Sequence, residues 1–98
     1  MNTIYLLTTD WNNRFAFLHE TGHAFASLHM TKAHRTTAAR IMGHPGLRWY
    51  WGSWNPLRHI KQPNEENFAD WYAECAMGAS GKQHQKLRKL LYSIKSES

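Results

Sequence analysis

His19-Glu20-Thr21-Gly22-His23 sets two imidazoles four residues apart, with a carboxylate next to the first. On a helix, residues at this spacing share a face, so both rings reach one metal ion and the glutamate projects beside them. Tetrahedral zinc with an open catalytic position needs one more protein donor. The acidic residues show where to look. Beyond Glu20, four of them, Glu65, Glu66, Asp70 and Glu74, fall within the single stretch NEENFADWYAE. Glu66, Asp70 and Glu74 recur every four positions and share a helix face, with Phe68, Trp71, Tyr72, Cys75 and Ala79 roughly opposite as an apolar stripe. Alone, this pattern reads as a solvated acidic face. With two histidines upstream, it becomes the expected source of the third ligand, from Glu66 or, after a one-residue shift of the helix start, from Glu65.

These groups need helices to carry them. Residues 13–30 have helical periodicity and no proline, with Asn12 or Asn13 available as N-cap. Phe17, Leu18, Thr21, Ala24, Phe25 and Leu28 fall opposite the histidines and are expected to form the core face, while Gly22 and Ala26 leave room for a second helix to approach the histidine side. A short helix over residues 36–42 is expected to stop at Gly43-His44-Pro45-Gly46. Pro63-Asn64 reads as a helix start, with Asn64 as cap and Glu65 and Glu66 in a first turn that suits negative charge, and the helix ends near Gly78. Over residues 82–94, Leu87, Leu90, Leu91 and Ile94 make a one-sided stripe on a basic helix that docks by that side. Residues 3–9 are β-branched and aromatic enough for one short strand. Residues 47–51 fit a strand or a packed aromatic loop equally.

HETGHAF followed by NEENFADWYAE resembles the gluzincin metallopeptidases, in which a glutamate from a second helix completes the zinc site. The strings look most like the catalytic domain of anthrax lethal factor and related phage or bacterial domains, and more loosely like the ImmA/IrrE peptidases. The likeness spans roughly residues 15–78. It implies a minimal zincin-like domain, mainly α within an α+β plan, with a motif helix, a second ligand-bearing helix, a C-terminal helix and few short strands. It also implies that His19, His23 and Glu66 bind Zn2+, that Glu20 is the general base, and that Asp70 stands behind a liganding imidazole and fixes its tautomer. Zinc would activate water and polarise the scissile carbonyl, while Glu20 carries the proton to the leaving amine. These families add a Tyr or His at the developing oxyanion. His59, seven residues before Glu66, takes that place here, and Tyr50 and Tyr72 are the other candidates. His29, His34, His44 and His84 rank below His59.

The chain as a whole bounds these readings. Its 98 residues fit one domain over residues 1–98, too short for an enzyme with a separate cofactor module. A content of 42% hydrophobic residues with five tryptophans supports a packed core. One cysteine excludes an internal disulfide framework and a Cys-rich zinc module, and suits a reducing compartment. With no signal-peptide core or membrane-length apolar run, the expectation is a cytoplasmic protein without a membrane partner. The leading expectation is a zinc-dependent peptidase acting on a protein or peptide. The competing one is an inactive zincin-like or basic aromatic binding protein, in which Trp49, Trp51, Trp54 and the basic residues Lys82, Lys86, Arg88, Lys89 and Lys95 engage a protein or a nucleic acid. The net charge of +5 suits a polyanion but equally a solubilising surface.

Overall fold

A computed structural model describes residues 11–50 and 63–97. Four α-helices run through these residues: α1 (Trp11–His29), α2 (Lys32–Ile41), α3 (Asn64–Ala76) and α4 (Lys82–Glu97). The described part is therefore mainly helical and contains no strand. The strand expected over residues 3–9 lies outside the described residues, as do Trp51, Trp54 and His59.

α1 packs along α3, and α4 lies against α2 and α3. The close approach of α1 to α3 follows from small side chains. Gly22 and Ala26 on α1 are buried, as are Ala69 and Ala73 on α3. This corrects the expected core face of α1. Leu28 is 76% exposed and Phe17 37%, and Ala24 is exposed too. Of the expected set, Phe25 packs against the core, beside the buried Ala26 and Met30. The glycine and alanine positions let two backbones approach more closely than a phenylalanine and leucine face would, so the histidine side of α1 is the packed side. On α3 the expected stripe holds in part. Phe68 and Cys75 are buried and Trp71 and Tyr72 are half-buried against the core.

The helix ends explain where the elements begin. The backbone is already helical at Trp11, so Asn12 and Asn13 lie inside the first turn of α1 and neither caps it. α2 starts at Lys32, four residues before its expected start, because Thr31 and His34 form a capping box. The Thr31 hydroxyl accepts from the His34 amide at 3.2 Å, and the Thr31 amide donates to His34 Nδ1 at 3.1 Å. Histidine here fills the role usually taken by Glu or Gln. α2 and α3 each end on a glycine with positive φ, Gly43 at 84° and Gly78 at 101°. The amides of His44 and Ala79 reach back to the carbonyls of Ala39 and Glu74, both at 2.9 Å, which closes each helix.

Asn64 does not cap α3; Pro63 holds that position without a side-chain bond. The Asn64 side chain is fully buried, and its amide nitrogen donates to the carbonyls of His44 and Leu47, both at 2.9 Å. Its Oδ1 accepts from Asn67 at 3.1 Å. A helix cap bonds its own helix, whereas this side chain ties the turn after α2 to the first turn of α3. Asn64→Ala removes both of these bonds, leaving the His44 carbonyl only the Leu47 amide as donor, and is expected to lower unfolding free energy by about 2 kcal/mol or more. Urea denaturation would measure this, and a loss under about 0.5 kcal/mol would mean that the clamp contributes nothing.

The rest of the core comes from α2 and α4. Ala38 and Met42 meet Phe68, Leu87 and Ile94, and burial of each large apolar side chain contributes about 1.5–3 kcal/mol. α4 docks by the expected stripe, with Leu90 and Leu91 packed at its border. Among the described residues, no helix is long and apolar enough to cross a membrane.

Candidate metal centre

His19 and His23 project from the side of α1 that packs on α3, and Glu66 and Asp70 project from α3 to meet them. One ligand atom each from His19, His23 and Glu66 lies within 4.8 Å of the others. The carboxylate of Glu65 is not in this group. Its backbone amide donates to the Trp49 carbonyl at 2.9 Å instead. The first turn of α3 holds both glutamates, where the helix dipole favours negative charge.

The hydrogen bonds fix which atoms face the centre. Asp70 Oδ1 is 2.7 Å from His19 Nδ1. The carboxylate accepts, so the Nδ1 proton is held there and the Nε2 lone pair points the other way. That Nε2 lies 3.1 Å from His23 Nε2 and 3.1 Å from Glu66 Oε1. His23 Nε2 is in turn 3.1 Å from Glu66 Oε2. A proton on His23 satisfies contacts of its own, but it leaves the His19 Nε2 lone pair facing a carboxylate oxygen. A proton on His19 Nε2, or a cation shared by the three groups, removes that repulsion.

The donor set suits a divalent cation, zinc among others. Two imidazole nitrogens and one carboxylate oxygen are ordinary zinc ligands, and ligand atoms around a tetrahedral ion with bonds of about 2.0–2.2 Å lie about 3.3–3.6 Å apart. The two Nε2 atoms are 3.1 Å apart, and each lies 3.1 Å from a different Glu66 oxygen, Oε1 for His19 and Oε2 for His23, close to the spacing a shared ion requires. The side chains of His19, His23 and Glu66 are 19%, 23% and 24% exposed, so the group is partly open to solvent. Glu20 is exposed on the same helix, one residue after His19.

The remaining candidates are engaged elsewhere. Tyr72 packs its ring against Phe25 and Phe68, at centroid distances of 5.7 Å and 6.1 Å, and burial raises its pKa, so it stays protonated. Tyr50 lies under the Arg35 guanidinium, 5.1 Å from ring centroid to Cζ. His59 lies outside the described residues. His34 serves the α2 cap, and His29 lies against Phe25. His84 pairs with Glu74 at 2.7 Å and stacks on Trp71 with centroids 4.2 Å apart. The Glu74 carboxylate thus joins α3 to α4 and takes no part in the metal-ligand group. Burial raises the Cys75 pKa, which keeps it a thiol and a poor nucleophile.

The binding surface considered for the basic helix is reduced in the same way. Arg88 donates to the carbonyls of Cys75 and Ala79 at the end of α3, so its guanidinium closes a helix end. Trp49 is half-buried, with its ring 5.6 Å from that of Phe68. Sequence reasoning placed Gly22 and Ala26 where a second helix could approach but missed their counterparts on α3, the buried Ala69 and Ala73. The signal was present as small residues four apart on both helices. No protein-family model matches the chain, and neither the curated proteins nor the solved structures contain a match to it.

Proposed function

We propose that this chain is a zinc-dependent metallopeptidase of gluzincin type, built on a minimal zincin-like domain, that hydrolyses peptide bonds in a protein or peptide. The observation that carries this reading is the convergence of His19 Nε2, His23 Nε2 and the Glu66 carboxylate, with Asp70 on the far nitrogen of His19. A zinc ion held by these three groups would activate water and polarise a substrate carbonyl. Asp70 holds the Nδ1 proton of His19 and keeps Nε2 free for the ion. Glu20 is exposed beside the ligands, and its carboxylate takes a proton from the attacking water and returns it to the leaving nitrogen.

Metal analysis of protein purified without added metal tests the ligand set. About one equivalent of zinc is expected, retained in Glu65→Ala and lost in His23→Ala and Glu66→Ala. Bound metal should also raise the melting temperature of the unaltered chain, and a chelator should remove that gain. Zinc content indifferent to Glu66→Ala would end the assignment.

A further inference from the structure

A cleft of about 360 Å³ lies between α2, the residues Leu47 and Trp49 that follow it, and Asn64 at the start of α3, and none of the metal-ligand residues lines it. Its wall includes Lys32, Arg35, Thr36, Leu47, Trp49 and Asn64, with no acidic side chain among the described residues. Two of its polar groups are already engaged. The Thr36 hydroxyl donates to the Lys32 carbonyl, and the Asn64 amide to His44 and Leu47. Lys32 and Arg35 pair with no carboxylate among the described residues. Arg35 Nε and Trp49 Nε1 are buried without a hydrogen-bond partner among the described residues. Buried donors are nearly always satisfied, and these two belong to residues lining one cleft. The Arg35 fork is also held in place, with Cζ 5.9 Å from the Trp49 ring centroid and 5.1 Å from that of Tyr50.

The wall is thus a donor surface lacking an acceptor, next to the apolar side chains of Leu47 and Trp49. Two cations balance a phosphate monoester, which carries a charge of about −1.5 to −2 near neutral pH, better than a single carboxylate. A planar guanidinium also matches phosphate oxygens in pairs. We propose that this cleft binds a phosphate monoester carried on a flat ring, with the phosphate on Lys32 and Arg35 and the ring against Leu47 and Trp49. This site is independent of the metal-ligand group.

Calorimetric titration of the full chain with phenyl phosphate tests the proposal. Affinity should fall at least about ten-fold in Arg35→Gln and in Lys32→Gln. Lys32 is exposed, so its replacement reads the charge without disturbing the packing of Arg35 on the rings. Phenylacetate and inorganic phosphate should each bind at least about ten-fold more weakly than phenyl phosphate, the first carrying a single carboxylate charge and the second lacking the ring. Binding that survives Lys32→Gln would place the anion elsewhere, for instance at the metal-ligand group. Equal affinity for phenylacetate would overturn the phosphate, equal affinity for inorganic phosphate the ring, and absence of binding at millimolar phenyl phosphate the whole proposal.

Discussion

Glu20→Gln is expected to reduce peptide hydrolysis by about 10²–10⁴-fold while zinc content stays unchanged. Glutamine preserves the size and hydrogen-bonding reach of the side chain but cannot take up a proton at neutral pH. Glu20 is not among the converging ligand atoms, so metal retention is part of the same expectation. Steady-state cleavage of a susceptible peptide, with metal analysis of the same sample, separates the two effects. A variant that keeps its zinc and its full rate would remove Glu20 as the base and leave the ligand set standing. A variant that loses zinc would move Glu20 into the ligand set.

The second large effect concerns Gly22. A Cβ built there meets Tyr72 Cβ at 3.0 Å and the Ala69 Cα at 3.1 Å. Ala69 Cα is backbone, so only a shift of one helix relieves the contact. Gly22→Val is expected to cost about 3 kcal/mol or more, beyond the usual range for one added methylene. A loss of that size lowers the melting temperature by roughly 10 °C or more in a domain of this length. Ala24→Val on the exposed side of the same helix should stay near about 0.5 kcal/mol, so the contrast isolates the crossing from helix propensity. Wedging α1 from α3 also moves Glu66 away from the two imidazoles, so zinc affinity should fall together with stability. Equal melting temperatures for the two variants would show that this crossing does not limit packing.

Much of the metal-ligand group was legible because side-chain spacing on a helix is nearly independent of the fold. Four-residue steps put His19 with His23 and Glu66 with Asp70, and the structure brings these pairs together. The inward side of α1 was harder to read. Phe17 and Leu28 outweigh Gly22 and Ala26 in hydrophobicity, yet small side chains permit the shorter interhelical distance. Hydrophobic periodicity counts area and is blind to that distance. Asn64 was misread for a related reason. A residue with cap chemistry at a helix start has its own helix as local partner, and nothing local reveals that the carbonyls of His44 and Leu47 fold back onto it. His34 hid the start of α2 because the capping-box pattern is sought with Glu or Gln. The end of α4 also meets that residue, since Glu97 lies 3.4 Å from His34 Nε2.

Each helix of the central pair presents two polar groups one turn apart, His19 and His23 facing Glu66 and Asp70. The four behave as matching teeth. Sliding α1 along α3 by a turn, a known mode of movement between packed helices, would carry His23 past its carboxylate and strip His19 of one of its two acidic neighbours. Chelation by these groups would therefore share one coordinate with interhelical register, and an ion gripped by these teeth would act as a ratchet pawl on the scaffold.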